Sequence, residues 1–129
     1  MDGMKKIQHE KINVLKPCLQ LLKSLEAKGV ILEYKRIDAF DYDHKRGAPD
    51  IEIRYVLDDM LYILMCECKR QDGKGRQLQS QIEYQAKYKS CANVDYILVE
   101  SDKQLYEKIV HLTGWYEKQK KEINSLEID

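Results

Sequence analysis

The 129-residue chain carries 22 basic and 22 acidic side chains, so its formal net charge is zero, and 43% of its residues are hydrophobic. Its length predicts one domain with a core over about residues 5–122, and its neutrality excludes binding of polyanions through a global positive field. No apolar run approaches the roughly 20 residues that span a bilayer, and the opening MDGMKKIQHEK lacks the apolar region of a secretory signal. We therefore expect no membrane partner and a cytoplasmic location.

A first helix is predicted over residues 4–28. Apolar side chains recur there at spacings of three to five residues, which marks one buried stripe. Pro17 interrupts that stripe, and because proline removes a backbone donor, we expect a kink or two shorter helices that meet near Lys16. Gly29 provides a stop at the C-terminal end of the helix.

Three strands are predicted next. Residues 30–37 are rich in β-branched and aromatic side chains, and residues 51–56 alternate strictly between apolar and polar. Residues 60–69 are almost wholly apolar until Glu67, which predicts a central strand covered on both faces. Residues 57–59 are short enough to join the last two strands as a hairpin.

The second half of the chain predicts a helix over 77–90, a buried strand over 95–100 and a last helix over 102–122 that Ser101 caps. Consecutive strands with short links favour an antiparallel meander, whereas a strand that follows a helical crossover can pair in parallel. The sequence therefore predicts an α/β protein of order αβββαβα, with a mixed central sheet flanked by helices.

Four cysteines are interpreted as reduced thiols, because nothing in the sequence points to export; they are Cys18, Cys66, Cys68 and Cys91. Cys66 and Cys68 form CxC rather than CxxC, and no second ligand pair has the spacing of a zinc finger. A redox or zinc role is thus the weakest hypothesis.

Two carboxylates and a lysine are predicted to meet at one edge of the sheet. Asp50 stands where the second strand begins, and Glu67 and Lys69 share one face at the end of the third. In a hairpin, the start of one strand lies beside the end of the next. Two carboxylates and the backbone carbonyl of Cys68 would suit Mg²⁺ or Mn²⁺, which lowers the pKa of a bound water.

The ordinary alternative is that Glu67 and Lys69 are a same-face ion pair at a strand end. Two basic clusters at the two ends of the segment favour a functional site that meets phosphate; they comprise His44, Lys45 and Arg46 at one end, and Lys69, Arg70, Lys74 and Arg76 at the other. We therefore predict DNA-binding roles for five of these side chains, which are Lys45, Arg46, Arg70, Lys74 and Arg76.

The pattern Pro49-Asp50, a strand-length spacer and Glu67-Cys68-Lys69 resembles the PD-(D/E)xK phosphodiesterase superfamily. With residues 45–51 and Gln81 included, it is similar to the virus-type replication-repair nuclease (VRR-NUC) domain. The resemblance implies a restriction-endonuclease-like fold and a Mg²⁺- or Mn²⁺-dependent DNA endonuclease. It also implies that Asp50 and Glu67 bind the metal and that Lys69 is the catalytic lysine.

Two further roles come from the same resemblance. Gln81 corresponds to a glutamine that supports the site, although Gln77, Gln79 and Gln85 lie nearby. Glu10 is the best candidate for an acidic metal ligand on the first helix, with Glu26 and Glu33 as competitors.

The resemblance further implies a homodimer that acts on branched DNA, such as Holliday junctions or flaps, and a location in the host cytoplasm if the protein is viral. The alternative is a catalytically inactive nuclease fold that binds DNA or protein, which the neutral net charge favours.

Overall fold

The computed structural model describes the backbone of residues 2–37, 48–70, 77 and 79–118, and the side chains of these residues from Ile12 onward. In chain order they form α1 (Asp2–Ala27), β1 (Glu33–Arg36), β2 (Ile51–Leu57), β3 (Met60–Cys68), α2 (Gln79–Tyr88), β4 (Val94–Val99) and α3 (Asp102–Thr113). The predicted order of helix, three strands, helix, strand and helix is confirmed.

The four strands form one mixed sheet in the order β1-β2-β3-β4. The first three are antiparallel neighbours, and β4, which arrives after α2, pairs in parallel with β3. The hairpin between β2 and β3 pairs Leu57 with Met60. Its two turn residues, Asp58 and Asp59, have φ values of 52° and 63°. Positive φ at both turn residues is typical of two-residue hairpin turns, whose twist matches that of the strands. The chain is thus an α/β protein whose mixed sheet is flanked by helices.

One face of the sheet carries the core. Alternation along β2 turns Ile51, Ile53 and Tyr55 inward, and they pack with apolar side chains of α1 and α3, which include Leu22 and Leu105. Burial of this apolar surface is the main favourable contribution to folding.

The other face of the sheet is partly polar. The helix α2 packs against β4, whereas on β2 the side chain of Arg54 reaches Glu33 at 3.4 Å and Glu52 at 3.3 Å in a solvent-exposed network. Helix α2 therefore covers this face of the sheet at β4, and the polar side chains of β2 lie on the part of the face that α2 leaves exposed.

The ends of two helices follow their local chemistry. Helix α1 ends in a Schellman motif, in which Val30 N donates to Leu25 O at 2.9 Å and Gly29 N donates to Glu26 O at 3.0 Å. Gly29 has a φ of 74°, which confirms it as the predicted stop. Ser101 Oγ accepts from Gln104 N at 3.3 Å at the start of α3, so the predicted cap is also confirmed.

Several predicted boundaries were wrong. Helix α1 is continuous through Pro17, so the alternative of two shorter helices does not hold. Helix α3 ends at Thr113, because Gly114 takes a left-handed conformation with a φ of 64°. Residues 115–118 are helical again, and residues 119–122 of the predicted helix lie outside the described residues. The strand predicted over 30–37 is limited to β1, since Val30 and Ile31 belong to the helix end and the core.

The prediction that β3 is covered on both faces holds only for its second half. Residues 64–68 are buried, but Met60 and Leu61 are exposed. β3 is therefore a central strand along its whole length, but it is buried only over residues 64–68. In the part of the chain that is described, no helix has the length and apolar character needed to cross a membrane.

Candidate active site

The end of β3 places Glu67 on the face of the sheet opposite the core. Its neighbours Cys66 and Cys68 turn the other way and join the core cluster, as the predicted alternation requires. The whole of Glu67 is nonetheless buried, with 0% of its surface exposed. Burial of a carboxylate is costly unless it is paired and hydrogen-bonded, so its surroundings are informative.

The two oxygens of Glu67 have different surroundings. Oε1 accepts hydrogen bonds from the hydroxyl of Tyr96 and from Gln77 Nε2, the latter at 3.5 Å. Oε2 is buried and has no hydrogen-bond partner among the described residues, but Lys69 Nζ lies 3.6 Å away. One oxygen is therefore anchored, and the other faces a cation.

Lys69 is held beside Glu67 by the start of α2. Its Nζ donates to Gln81 Oε1 at 2.8 Å, and Gln81 is itself buried. Of the four glutamines that competed on sequence, the structure thus brings Gln81 to the lysine. Gln77 instead contacts Glu67 and Gln85. The family role of Gln81 stays a prediction, and the structure shows only that its side chain contacts Lys69.

Asp50 continues the hairpin one residue beyond β2. Asp50 N donates to Cys66 O at 3.0 Å, and Asp50 Oδ2 accepts from Cys68 N at 2.7 Å. These two bonds fix Asp50 beside the backbone on both sides of Glu67. The predicted meeting of Asp50, Glu67 and Lys69 at one edge of the sheet is therefore present.

This donor set fits Mg²⁺ or Mn²⁺. Such an ion is commonly bound by one or two carboxylates and several waters. Here Asp50 and Glu67 would supply the carboxylates, and the backbone carbonyl of Cys68 would be a third donor. The buried Glu67 Oε2, which has no hydrogen bond within the described part of the chain, is an oxygen that a cation would satisfy. The described residues contain no group of three or more His, Cys, Asp or Glu side chains that could hold a metal. A third carboxylate ligand would therefore have to come from elsewhere.

Glu10 is the predicted source of that ligand. It lies within α1, but its side chain lies outside the described residues. Both the backbone and the side chains of four basic residues lie outside the described part of the chain; these are Lys45, Arg46, Lys74 and Arg76. Arg70 is described, and it is half-buried directly after Lys69. Its predicted role toward DNA stays a prediction.

Three thiols lie in the core beneath the site. Cys18, Cys66 and Cys68 are free and buried, whereas Cys91 is free and exposed. A hydrogen bond with Cys68, together with burial, raises the pKa of the Cys18 thiol. For Cys68, the bond from Cys18 lowers the pKa, but the bond with Cys66 and burial outweigh it, so the pKa is raised. Because the thiolate is the reactive form, we expect Cys18 and Cys68 to react slowly in the folded protein.

A thiol-specific reagent should therefore modify the native protein at one position. We expect Cys91 to react quickly near pH 8 and the other three cysteines to react only after unfolding in denaturant. Mass spectrometry of the modified protein, native and unfolded, checks this. Rapid native labelling of Cys18 or Cys68 would contradict the packing described.

Two residues at the site were not predicted as functional. Tyr96 contacts Glu67 from β4, and its pKa is raised by burial first and then by the bond to Glu67. The alternation of the strand DYILVE could have placed Tyr96 on the same face as Glu67, once β3 and β4 were paired. Gln77 was noted only as a competitor of Gln81, and the spacing from Lys69 favoured Gln81 as the residue that supports the site.

Comparison with known proteins gives no independent identification. No family model, no curated protein and no solved structure matches the chain. The resemblance carried by Asp50, Glu67 and Lys69 therefore stays a hypothesis, and functional inference depends on the geometry of the site.

Proposed function

We propose that this protein is a Mg²⁺- or Mn²⁺-dependent endodeoxyribonuclease of the VRR-NUC type, with a restriction-endonuclease-like fold. The observation that carries the proposal is the fully buried carboxylate of Glu67, with Lys69 Nζ 3.6 Å from its Oε2 and Asp50 held beside it by bonds to Cys66 and Cys68. A sheet edge that serves packing alone has no need of a buried acid, a lysine and a second acid together.

The sheet supports the fold part of the proposal. An antiparallel β1-β2-β3 meander followed by a helix and a parallel β4 puts Asp50 and Glu67 on adjacent strands in the order expected for that fold. Helices on both sides of the sheet complete the arrangement.

The chemistry would be hydrolysis of a phosphodiester bond. Asp50 and Glu67 would hold the divalent ion, which when bound lowers the pKa of a water and neutralises phosphate charge. The ammonium group of Lys69 would position the attacking water or stabilise negative charge that builds on the phosphate. Gln81 accepts a hydrogen bond from that ammonium group and so keeps it in place. Water adds across the P–O bond, which breaks without a covalent intermediate on the protein.

The proposed substrate is branched DNA, cut by a homodimer. Two active sites related by a two-fold axis match the two opposed strands of a junction. Since the net charge is zero, phosphate contacts would depend on local clusters, for which Lys45, Arg46, Arg70, Lys74 and Arg76 are the proposed residues. We therefore expect binding that weakens steeply with salt.

A cleavage panel tests the proposal. Purified protein should cut a Holliday junction or a flap in the presence of Mg²⁺ or Mn²⁺, with less cutting of linear duplex and single strands, and EDTA should stop the reaction. Gel analysis of end-labelled strands gives the rates and the cut positions. Absence of cleavage on every substrate with both ions would overturn the proposal. Tight junction binding without cleavage would identify the alternative, an inactive nuclease fold that binds DNA.

A further inference from the structure

We propose that Tyr96 and Gln77 are positioning residues that hold Glu67 through Oε1, so that Oε2 is presented to the metal ion. This inference rests on the proposed function, since it assigns the support of a metal ligand. Tyr96 does not belong to the pattern of acids, lysine and glutamine from which the site was predicted, and Gln77 was considered there only as a competitor of Gln81.

The hydrogen bonds that the described residues make to Glu67 are all on one side of the carboxylate. The Tyr96 hydroxyl and Gln77 Nε2 both donate to Oε1, whereas Oε2 has no hydrogen bond among the described residues. A glutamate side chain has three rotatable bonds, and two donors on one oxygen restrict all three. The carboxylate is thereby fixed with one oxygen left for another ligand.

The two donors come from separate elements, and each is held independently. The parallel register that pairs Met65 with Tyr96 brings the tyrosine to the same face of the sheet as Glu67. Gln77 precedes α2, and its Nε2 also donates to Gln85 Oε1 at 2.9 Å. Because an amide nitrogen carries two hydrogens, Gln77 can make both bonds at once. The carboxylate is therefore held between β4 and the residue Gln77 that precedes α2.

Such support has a defined consequence for metal binding. Partners that orient a metal ligand through its second atom commonly contribute a factor of about 10–100 in metal affinity. Without the tyrosine hydroxyl, Glu67 would lose one of the two described donors to Oε1 in a buried site, and part of the binding free energy would be spent on ordering the side chain. The effect should appear in metal affinity more than in the rate at saturating metal.

Titration of the purified protein with Mn²⁺ by isothermal calorimetry, without DNA, tests the inference. Tyr96→Phe should weaken Mn²⁺ binding by about 10–100-fold, and the Mn²⁺ concentration for half-maximal cleavage should rise by the same factor. The cleavage rate at saturating Mn²⁺ should change much less. Tyr62→Phe is the matched control, because Tyr62 is a half-buried tyrosine that stacks on Tyr55 on the other face of the sheet; it should bind Mn²⁺ like the wild type.

The outcomes separate the two proposals. If the wild-type protein binds no Mn²⁺, the proposed function and this inference both fail. If the wild type binds and Tyr96→Phe binds equally well, the inference alone fails. Should Tyr96→Phe prove unfolded by circular dichroism, Gln77→Met decides the matter. We expect Gln77→Met to weaken Mn²⁺ binding by a smaller factor than Tyr96→Phe, because the hydrogen bond from Gln77 to Glu67 is long, at 3.5 Å. Unchanged Mn²⁺ affinity in Gln77→Met would overturn the inference.

Discussion

Glu67→Gln should abolish DNA cleavage and weaken Mn²⁺ binding by more than about 100-fold, a larger loss than removal of a supporting partner causes. The substitution replaces the buried, negatively charged carboxylate with a neutral amide of the same shape. Its carbonyl oxygen can still accept from Tyr96, so the packing around residue 67 is kept. What is lost is the negative charge that faces Lys69 and the proposed metal ion.

Glutamine is chosen over alanine for a physical reason. Glu67 is fully buried, and alanine at a buried position leaves a cavity that costs stability by itself. Loss of activity in an alanine variant would then not distinguish lost stability from the loss of the carboxylate. The thermal melt of Glu67→Gln without metal should lie close to that of the wild type, and activity loss with an intact melt is the informative result.

Glu52→Gln is the matched control for this experiment. Glu52 is an acidic residue on β2, two positions from Asp50, and it bonds to Arg54 in the exposed network. We expect this variant to bind Mn²⁺ and cleave DNA as the wild type does. Calorimetry with Mn²⁺ and cleavage assays on the preferred branched substrate give both readouts. Retention of wild-type cleavage by Glu67→Gln would eliminate the proposed nuclease site.

The sequence predicts the frame of this site well because the frame depends on local rules. Strict alternation over residues 51–56 sets which face of β2 is buried, and a two-residue turn fixes the register with β3. Once the register is fixed, Asp50 must lie near Glu67, and Lys69 must lie on the same face of the sheet as Glu67. The position of the acids and the lysine thus follows from periodicity and turn length.

The rest depends on contacts between distant segments. Glu67 is covered by Tyr96 on β4 and by Gln77 in the segment before α2. These two residues lie 29 and 10 positions further along the chain than Glu67. No periodic pattern encodes which tyrosine or glutamine reaches a given carboxylate. The end of α3 was also missed, because an apolar stripe that continues to Tyr116 does not reveal that Gly114 turns left-handed.

Lys69→Met should reduce the cleavage rate by at least about 100-fold, the loss expected when one group that stabilises transition-state charge is removed. The methionine side chain keeps most of the length and apolar character of lysine but has no charge and no donor. Mn²⁺ binding should be retained or become tighter, because a cation 3.6 Å from Glu67 Oε2 repels a metal ion at the same oxygen. The lysine would thus matter for chemistry and not for metal capture.

This opposite response in binding distinguishes Lys69 from Glu67, whose substitution should remove both properties. Lys16→Met, at an exposed position of α1, is the matched control and should leave both unchanged. Single-turnover cleavage at saturating Mn²⁺, combined with calorimetry, separates the rate from the affinity. If Lys69→Met instead lost Mn²⁺ binding while its fold survived, the lysine would be organising the carboxylates before the metal arrives. If it cleaved at the wild-type rate, the pair of Lys69 and Glu67 would be a structural ion pair at a strand end.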